Sequence, residues 1–279
     1  MRKIKIGAPG YILMDLMRRD IPGTLQALSR MGYDGIEFLG FFGHSAADIR
    51  RMCEENHLTP FATFIKLTDL TGETTALSRE ELPAFDAATW MPGTTVEAKL
   101  EYLCQLGCKY VGLLTPIDVM NDTMLRQLSD AAHLCSRFGL KAQFHNHNYE
   151  YLIRHGDGYR MDHIMESTPR ELLFEPDLGW MEIGGCRCEG QLRKYADRIR
   201  IIHLKDYERA AFDPALPYTN RPTGYGVMDW DRILPLCEKL IAPDWYTADH
   251  DFAESGDVLH ELKLSLDFIR DKLNRITCQ

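Results

Sequence analysis

The run Gly139-Leu140-Lys141-Ala142-Gln143-Phe144-His145-Asn146-His147-Asn148-Tyr149-Glu150 holds a helix stop, a short strand and a polar strand end. The apolar stretch 140–144 predicts a strand, and Gly139 closes the helix before it. Two imidazoles and a carboxylate follow at once. Such groups are costly to bury unless each is hydrogen-bonded, paired or coordinated, so this strand end asks for a metal or a reacting substrate. Three later strand ends repeat the pattern: Asp177 after Phe174-Glu175-Pro176, His203 in Ile201-Ile202-His203-Leu204-Lys205-Asp206, and Asp249 in Thr247-Ala248-Asp249-His250-Asp251.

Outward from this run the same unit recurs in both directions. Strands are predicted at 4–8, 35–39, 60–67, 110–114, 140–144, 172–174, 199–204 and 245–248. Amphipathic helices are predicted at 21–31, 45–56, 122–138, 159–166, 189–197, 230–240 and 257–273, and one more runs from a cap at Thr94 or Thr95 to Leu106. Short apolar strands alternating with helices define an α/β chain with a parallel sheet, and eight such pairs close a (β/α)8 TIM barrel. The reading is one barrel domain over 1–279, with insertions at 68–93, expected to carry a short helix, and at 207–228, rich in Pro, Gly and aromatic residues. Loops of that kind border a pocket mouth, act as lids and are expected to move more than the strands.

Composition excludes several functions. A hydrophobic fraction of 45% and a charged fraction of 26% are those of a globular protein. A net charge of -9 argues against a general nucleic-acid or anionic-membrane surface. No stretch approaches the ~18 apolar residues of a membrane span. The start Met1-Arg2-Lys3-Ile4-Lys5-Ile6-Gly7 lacks the features of a signal peptide, which leads to a cytoplasmic expectation. The eight cysteines are scattered and read as reduced thiols.

Taken singly, an Asp before Leu-Gly is a turn residue or helix cap more often than a ligand, and a His after Ile-Ile is more often a satisfied core imidazole. Four such events at the carboxyl ends of successive strands, where barrel sites lie, reverse that balance. His145, His147, Glu150, Asp177, His203 and Asp249 can thus converge on one divalent cation. One nitrogen and three oxygens suit Mn²⁺, Mg²⁺, Co²⁺ or Zn²⁺, with carboxylate-rich ligation favouring the harder ions and Mn²⁺ taken first. Glu37, at the end of the second strand, is assigned to substrate hydroxyls or to an ion pair in the barrel mouth, and His147 to substrate.

The sequence resembles the sugar phosphate isomerase/epimerase superfamily, the xylose isomerase-like TIM barrels. The matching motifs are Gly35-Ile36-Glu37-Phe38, His145-Asn146-His147-Asn148-Tyr149-Glu150-Tyr151, Glu175-Pro176-Asp177-Leu178-Gly179-Trp180, His203-Leu204-Lys205-Asp206, Gly224-Tyr225-Gly226-Val227-Met228-Asp229 and Asp249-His250-Asp251. The resemblance implies metal ligation by Glu150, Asp177 and His203, and by Asp249 where relatives usually have Glu. Many relatives place a ligand Glu at the position of His145, so a second alignment makes His145 the ligand and Glu150 a substrate contact. Relatives carrying the His-Asn-His form include the larger subunits of bacterial C-glycoside deglycosidases, which implies a homo-oligomer or a complex with a smaller subunit.

The expected function is a metal-dependent sugar isomerase or epimerase acting by proton abstraction next to a carbonyl. His145 is the expected base, and Lys205 the expected partner of the developing oxyanion. Lyase or dehydratase chemistry on a 3-oxo sugar or glycoside is the alternative, and a non-catalytic sugar-binding or scaffolding barrel a further one. A DNA-cleaving barrel of the endonuclease IV kind is disfavoured by the acidity of the chain and by too few candidate ligands.

Overall fold

The structure is a computed structural model that describes residues 2–71, 93, 95–115, 121–209 and 218–277. Most of the 68–93 insertion and the stretch 210–217 of the later loop lie outside the described residues, and with them the expected lid and its motion. Eight parallel strands form the sheet: β1 (Ile6–Pro9), β2 (Gly35–Phe38), β3 (Thr59–Lys66), β4 (Tyr110–Leu114), β5 (Lys141–His145), β6 (Leu173–Glu175), β7 (Ile201–His203) and β8 (Trp245–Thr247). They follow one another in the order β6-β5-β4-β3-β2-β1-β8-β7. The circle closes between β6 and β7 by two isolated bridges only, Phe174 with Ile199 and Asp177 with His203. This is the expected (β/α)8 barrel, with a thin seam.

Helix starts follow local chemistry. Thr95 caps Val96–Leu106 by accepting the Ala98 N–H at 3.2 Å, and Asp229 caps Trp230–Leu240 by accepting the Arg232 N–H at 3.2 Å. Two helices, not one, follow β1: Gly10–Arg19 precedes the expected Ile21–Met31. Pro9-Gly10 reads as a breaker, yet here Pro9 precedes a helix whose Leu13, Met14 and Met17 are buried. Gly10 is required by close approach, since a Cβ there would lie 2.3 Å from the Glu37 carbonyl oxygen.

The barrel interior is divided along its axis. At the amino-terminal end Phe61, Tyr110, Leu173, Ile201 and Trp245 form an apolar plug, with the Phe61 and Trp245 rings stacked at 4.1 Å. Stacking of that kind contributes roughly 0.5–1.5 kcal/mol beyond burial. Above the plug the inward side chains turn polar: Glu37, Gln143, Glu175 and His203 are all buried. The described cysteines are free thiols, and among the described residues no helix is long and apolar enough to cross a membrane.

One polar knot outside the barrel supplies a pH-dependent part of the stability. Asp162 opens the helix Arg160–Ser167 and accepts hydrogen bonds from the Tyr159 N–H, Gln191, Lys194 and the Tyr195 hydroxyl at 2.8–3.2 Å. Burial alone would raise its pKa, but these donors together hold the carboxyl below its usual range. Because the folded value is the lower one, the contribution is complete above the unfolded value and is lost as pH falls through the folded value. Asp162→Asn is therefore expected to cost about 1–3 kcal/mol at neutral pH. The cost should shrink in denaturation measurements near pH 3; an equal cost at both pH values would contradict this account.

Candidate active site

The polar interior opens at the carboxyl ends of the strands. His145 ends β5, Glu175 ends β6, His203 ends β7, and Asp177, Lys205 and Asp249 stand two residues beyond the ends of β6, β7 and β8. In extended chain, residues two apart share a side. That spacing brings Glu175 with Asp177, His203 with Lys205, and Asp249 with Asp251 to one place.

The group is close-set. The His145 and His203 ring centroids are 4.6 Å apart, and His145 Nε2 is 4.0 Å from Asp177 Oδ2. His203 Nδ1 is 3.5 Å from Asp249 Oδ2; its Nε2 is 2.9 Å from Glu37 Oε2 and 3.4 Å from Glu175 Oε1. Lys205 Nζ lies 3.0 Å from Asp249 Oδ2, 3.0 Å from Asp251 Oδ1 and 3.7 Å from Asp177 Oδ2. Despite this closeness, both oxygens of Glu37, Glu175 Oε2, Asp177 Oδ2, His145 Nδ1 and both nitrogens of His203 are buried without an aligned hydrogen bond. Donor atoms of His145, Asp177 and His203 lie within 4.8 Å of one another. Convergent imidazole and carboxylate donors without aligned hydrogen bonds are what a divalent cation requires, so the residues fit such an ion.

The electrostatics are correspondingly strained. Burial pushes Glu175 up, and neighbouring Glu37 adds to it, so that its carboxyl is raised to about 8 in spite of His203. Burial also holds Asp177 well above the carboxylate range against the pull of Lys205. Asp249 goes the other way: burial opposes its ionisation, but Lys205 and His203 keep it well below that range. The distances explain the contrast, since Lys205 stands closer to Asp249 than to Asp177. His203 is raised well above its usual value by Glu37 and Glu175 against its burial, whereas burial and the neighbouring His203 and His147 hold His145 well down.

Glu150 is not brought to this group. It lies in the helical turn Tyr149–Leu152, where its Oε2 accepts the His147 N–H at 2.8 Å. Burial raises its carboxyl to about 6. A turn five residues past the end of β5 thus returns the side chain to the His147 N–H, and His145 stands at the cluster. Glu175, buried and central, is the residue that sequence reasoning passed over. The alternation that pairs His145 with His147 also pairs Glu175 with Asp177 and was the available signal.

Neighbouring residues hold the site in register. The Asn146 amide donates to the Asp177 carbonyl at 3.1 Å and accepts the Asp177 N–H at 3.0 Å, clamping the β5 and β6 ends together. Asp177 is also a helix cap, its Oδ1 accepting the Trp180 N–H at 2.9 Å while Oδ2 faces the cluster. The His147 ring sits 5.8 Å from Trp180, over which Lys205 lies at 5.4 Å, and Tyr218 meets Trp180 edge-on at 5.2 Å. Beyond β7, Asp206 ties down the loop that follows. Its Oδ1 accepts from the Tyr207 and Met228 N–H groups, and its Oδ2 from the Gly224 N–H and Trp230 Nε1, at 2.7–3.1 Å. Gly226 leaves room for this carboxylate, since a Cβ there would lie 2.1 Å from Asp206 Oδ1.

A parallel eightfold barrel with imidazoles and carboxylates gathered at the carboxyl ends of its strands is the class that fold and site define. Within it, the chain belongs to the xylose isomerase-like TIM barrel family, which its residues 25–271 match. It is similar to an inosose dehydratase of Geobacillus kaustophilus, 26% identical over 217 residues. That alignment takes in 67% of this chain and 65%, just under two thirds, of the relative. Among solved structures, a sugar phosphate isomerase/epimerase from Parabacteroides distasonis superposes with a TM-score of 0.73 at 17% identity, covering 99% of this chain and 96% of that one. The IOLI protein with a binding zinc atom superposes with a TM-score of 0.69 at 15% identity, covering 98% and 99%. The probable 3-DHS dehydratase AsbF from Bacillus anthracis gives 0.66 at 11%, covering 96% and 99%.

Proposed function

We propose that this chain is a divalent-metal-dependent enzyme that removes a proton next to a carbonyl of a sugar or cyclic polyol. The observation that carries the reading is the set of buried donors without aligned hydrogen bonds at the carboxyl ends of β5 to β7, with Asp249 beside them after β8. Asp177, His203 and Asp249 would hold the ion, with His145 in the position first given to Glu150. Two nitrogens and two oxygens suit Mn²⁺, Zn²⁺ or Co²⁺. When bound, the ion supplies Lewis-acid stabilisation of negative charge developing on neighbouring substrate oxygens.

The chain's own residues divide the remaining work. His147 is the proton carrier: burial lowers its pKa, so the ring is neutral and ready to accept a proton at neutral pH. Its nitrogen takes the proton from the carbon beside the carbonyl, and the electron pair moves to the carbonyl oxygen. Lys205 is held charged, its pKa raised by Asp249, Asp251 and Asp177 against its burial, which suits it to hydrogen-bond that oxygen. It is a poor base for the same reason. Trp180, beside both His147 and Lys205, offers an apolar face to a sugar ring. Return of the proton gives isomerisation or epimerisation. Departure of a neighbouring hydroxyl as water gives dehydration, and the likeness to an inosose dehydratase favours this second outcome.

The test is incubation in deuterated water with inososes, keto-sugars and 3-oxo-glycosides, with the metal-loaded and the chelated protein. Deuterium should enter the carbon next to the carbonyl only with the metal present. His147→Ala should abolish that exchange while the protein retains its metal. Metal-independent exchange, or none with any polyhydroxy ketone, contradicts the proposal.

A further inference from the structure

We infer that Glu37 and Glu175 are positioning residues that grip His203 by its Nε2 edge, so that Nδ1 is the nitrogen presented to the cation. The two edges of this ring meet different surroundings. Nδ1 faces Asp249 Oδ2 at 3.5 Å, on the side of His145, Asp177 and Lys205. Nε2 stands 2.9 Å from Glu37 Oε2 and 3.4 Å from Glu175 Oε1, paired with both by charge though not by an aligned hydrogen bond. Glu37 and Glu175 are 1% and 0% exposed, and Glu175 Oε2 also stands 3.7 Å from His145 Nδ1. Glu175 is fixed in turn by the amide of Gln143, which donates to its Oε1.

A neutral imidazole carries one N–H and one lone pair, and a carboxylate at one nitrogen draws the N–H to that side. Outer carboxylates of this kind set the tautomer and ring orientation of a metal-binding histidine. The same triangle of Glu37, Glu175 and His203 has the dimensions of a cation site in its own right. A nitrogen that donates its hydrogen to a carboxylate cannot also give a lone pair to an ion, so the two assignments exclude each other. The role given to Glu37 here replaces the substrate contact expected from sequence.

The inference rests on the proposed cation at His203, and calorimetric titration of the chelated protein with Mn²⁺ or Zn²⁺ separates the two. The wild type should bind one ion per chain. Glu37→Gln should still bind one, about 10–100-fold more weakly. Its metal-free melting temperature should move by less than about 4 °C, because the substitution neutralises one of two facing buried carboxylates without creating a cavity. Glu37→Asp, which keeps the charge, should recover part of the affinity. Glu175→Gln carries the same test if Glu37→Gln does not fold. Unchanged affinity with a large drop in melting temperature would make Glu37 merely structural and overturn the inference alone. Two ions on the wild type and one on Glu37→Gln would make the carboxylates ligands and overturn it as well. No binding by the wild type overturns both the cation and the inference.

Discussion

His145→Ala is expected to lose bound metal, whereas Glu150→Ala keeps it. His145 takes the ligand role that the sequence resemblance gives Glu150, and Glu150 takes none in the chemistry. His145 Nε2 stands 4.0 Å from Asp177 Oδ2 and its ring 4.6 Å from that of His203, while Glu150 is spent on the His147 N–H at 2.8 Å. Removing a direct ligand should weaken binding by more than the roughly 10–100-fold typical of an outer partner. Removing Glu150 leaves one backbone N–H unpaired, a matter of about 1–3 kcal/mol in folding stability. Metal content after dialysis, read beside thermal melts of both variants, checks this. A His145→Ala protein that retains a full equivalent of metal would return His145 to the role of base.

Asp206→Asn should be the most damaging conservative change outside the metal cluster. Its carboxylate is fully buried and accepts four N–H donors, two on each oxygen. An amide in its place turns an NH2 toward two of those donors, whichever way it is oriented. With charged hydrogen bonds contributing about 1.5–3 kcal/mol each, the loss should reach about 3–5 kcal/mol. For a chain of this size that lowers the melting temperature by roughly 5–10 °C. Asp231→Asn is the control: this carboxylate pairs with Lys272 on the surface, where such pairs contribute about 0–1 kcal/mol. Calorimetry giving similar melting temperatures for the two variants would remove Asp206 from its role as anchor of the loop.

The barrel was legible because each strand is a short apolar run between helix stops, and all eight predicted strands lie within about two residues of those found. Element type follows from periodicity, which survives without tertiary context. The helix Gly10–Arg19 was not legible, since Pro9-Gly10 reads as a break and only the approach of the Glu37 carbonyl explains the glycine. Strand-end places led to the expectation that His145, His147, Glu150, Asp177, His203 and Asp249 converge, and of these His145, Asp177, His203 and Asp249 stand together around Lys205. What sequence did not resolve were directions within a turn. Glu150 lies only three residues past His147, and whether its side chain meets the cluster or its own backbone depends on one turn of helix. Glu175 was hidden by the stronger signal of Asp177 beside it, and Asp206 by its place next to His203 and Lys205.

The seam of the barrel gives the site a second consequence. β6 and β7 are joined only by the bridges at Phe174–Ile199 and Asp177–His203, and the His203 N–H donates to the Pro176 carbonyl at 2.9 Å across the gap. Any ligand that grips Asp177 and His203 together therefore acts as a clasp on the least-bonded join of the sheet, and its binding free energy adds to the cost of opening that join. Amide hydrogen exchange at His203 becomes a gauge of occupancy, slowing as the clasp fills, while amides in the middle of β3 and β4, enclosed by full ladders, register only global unfolding.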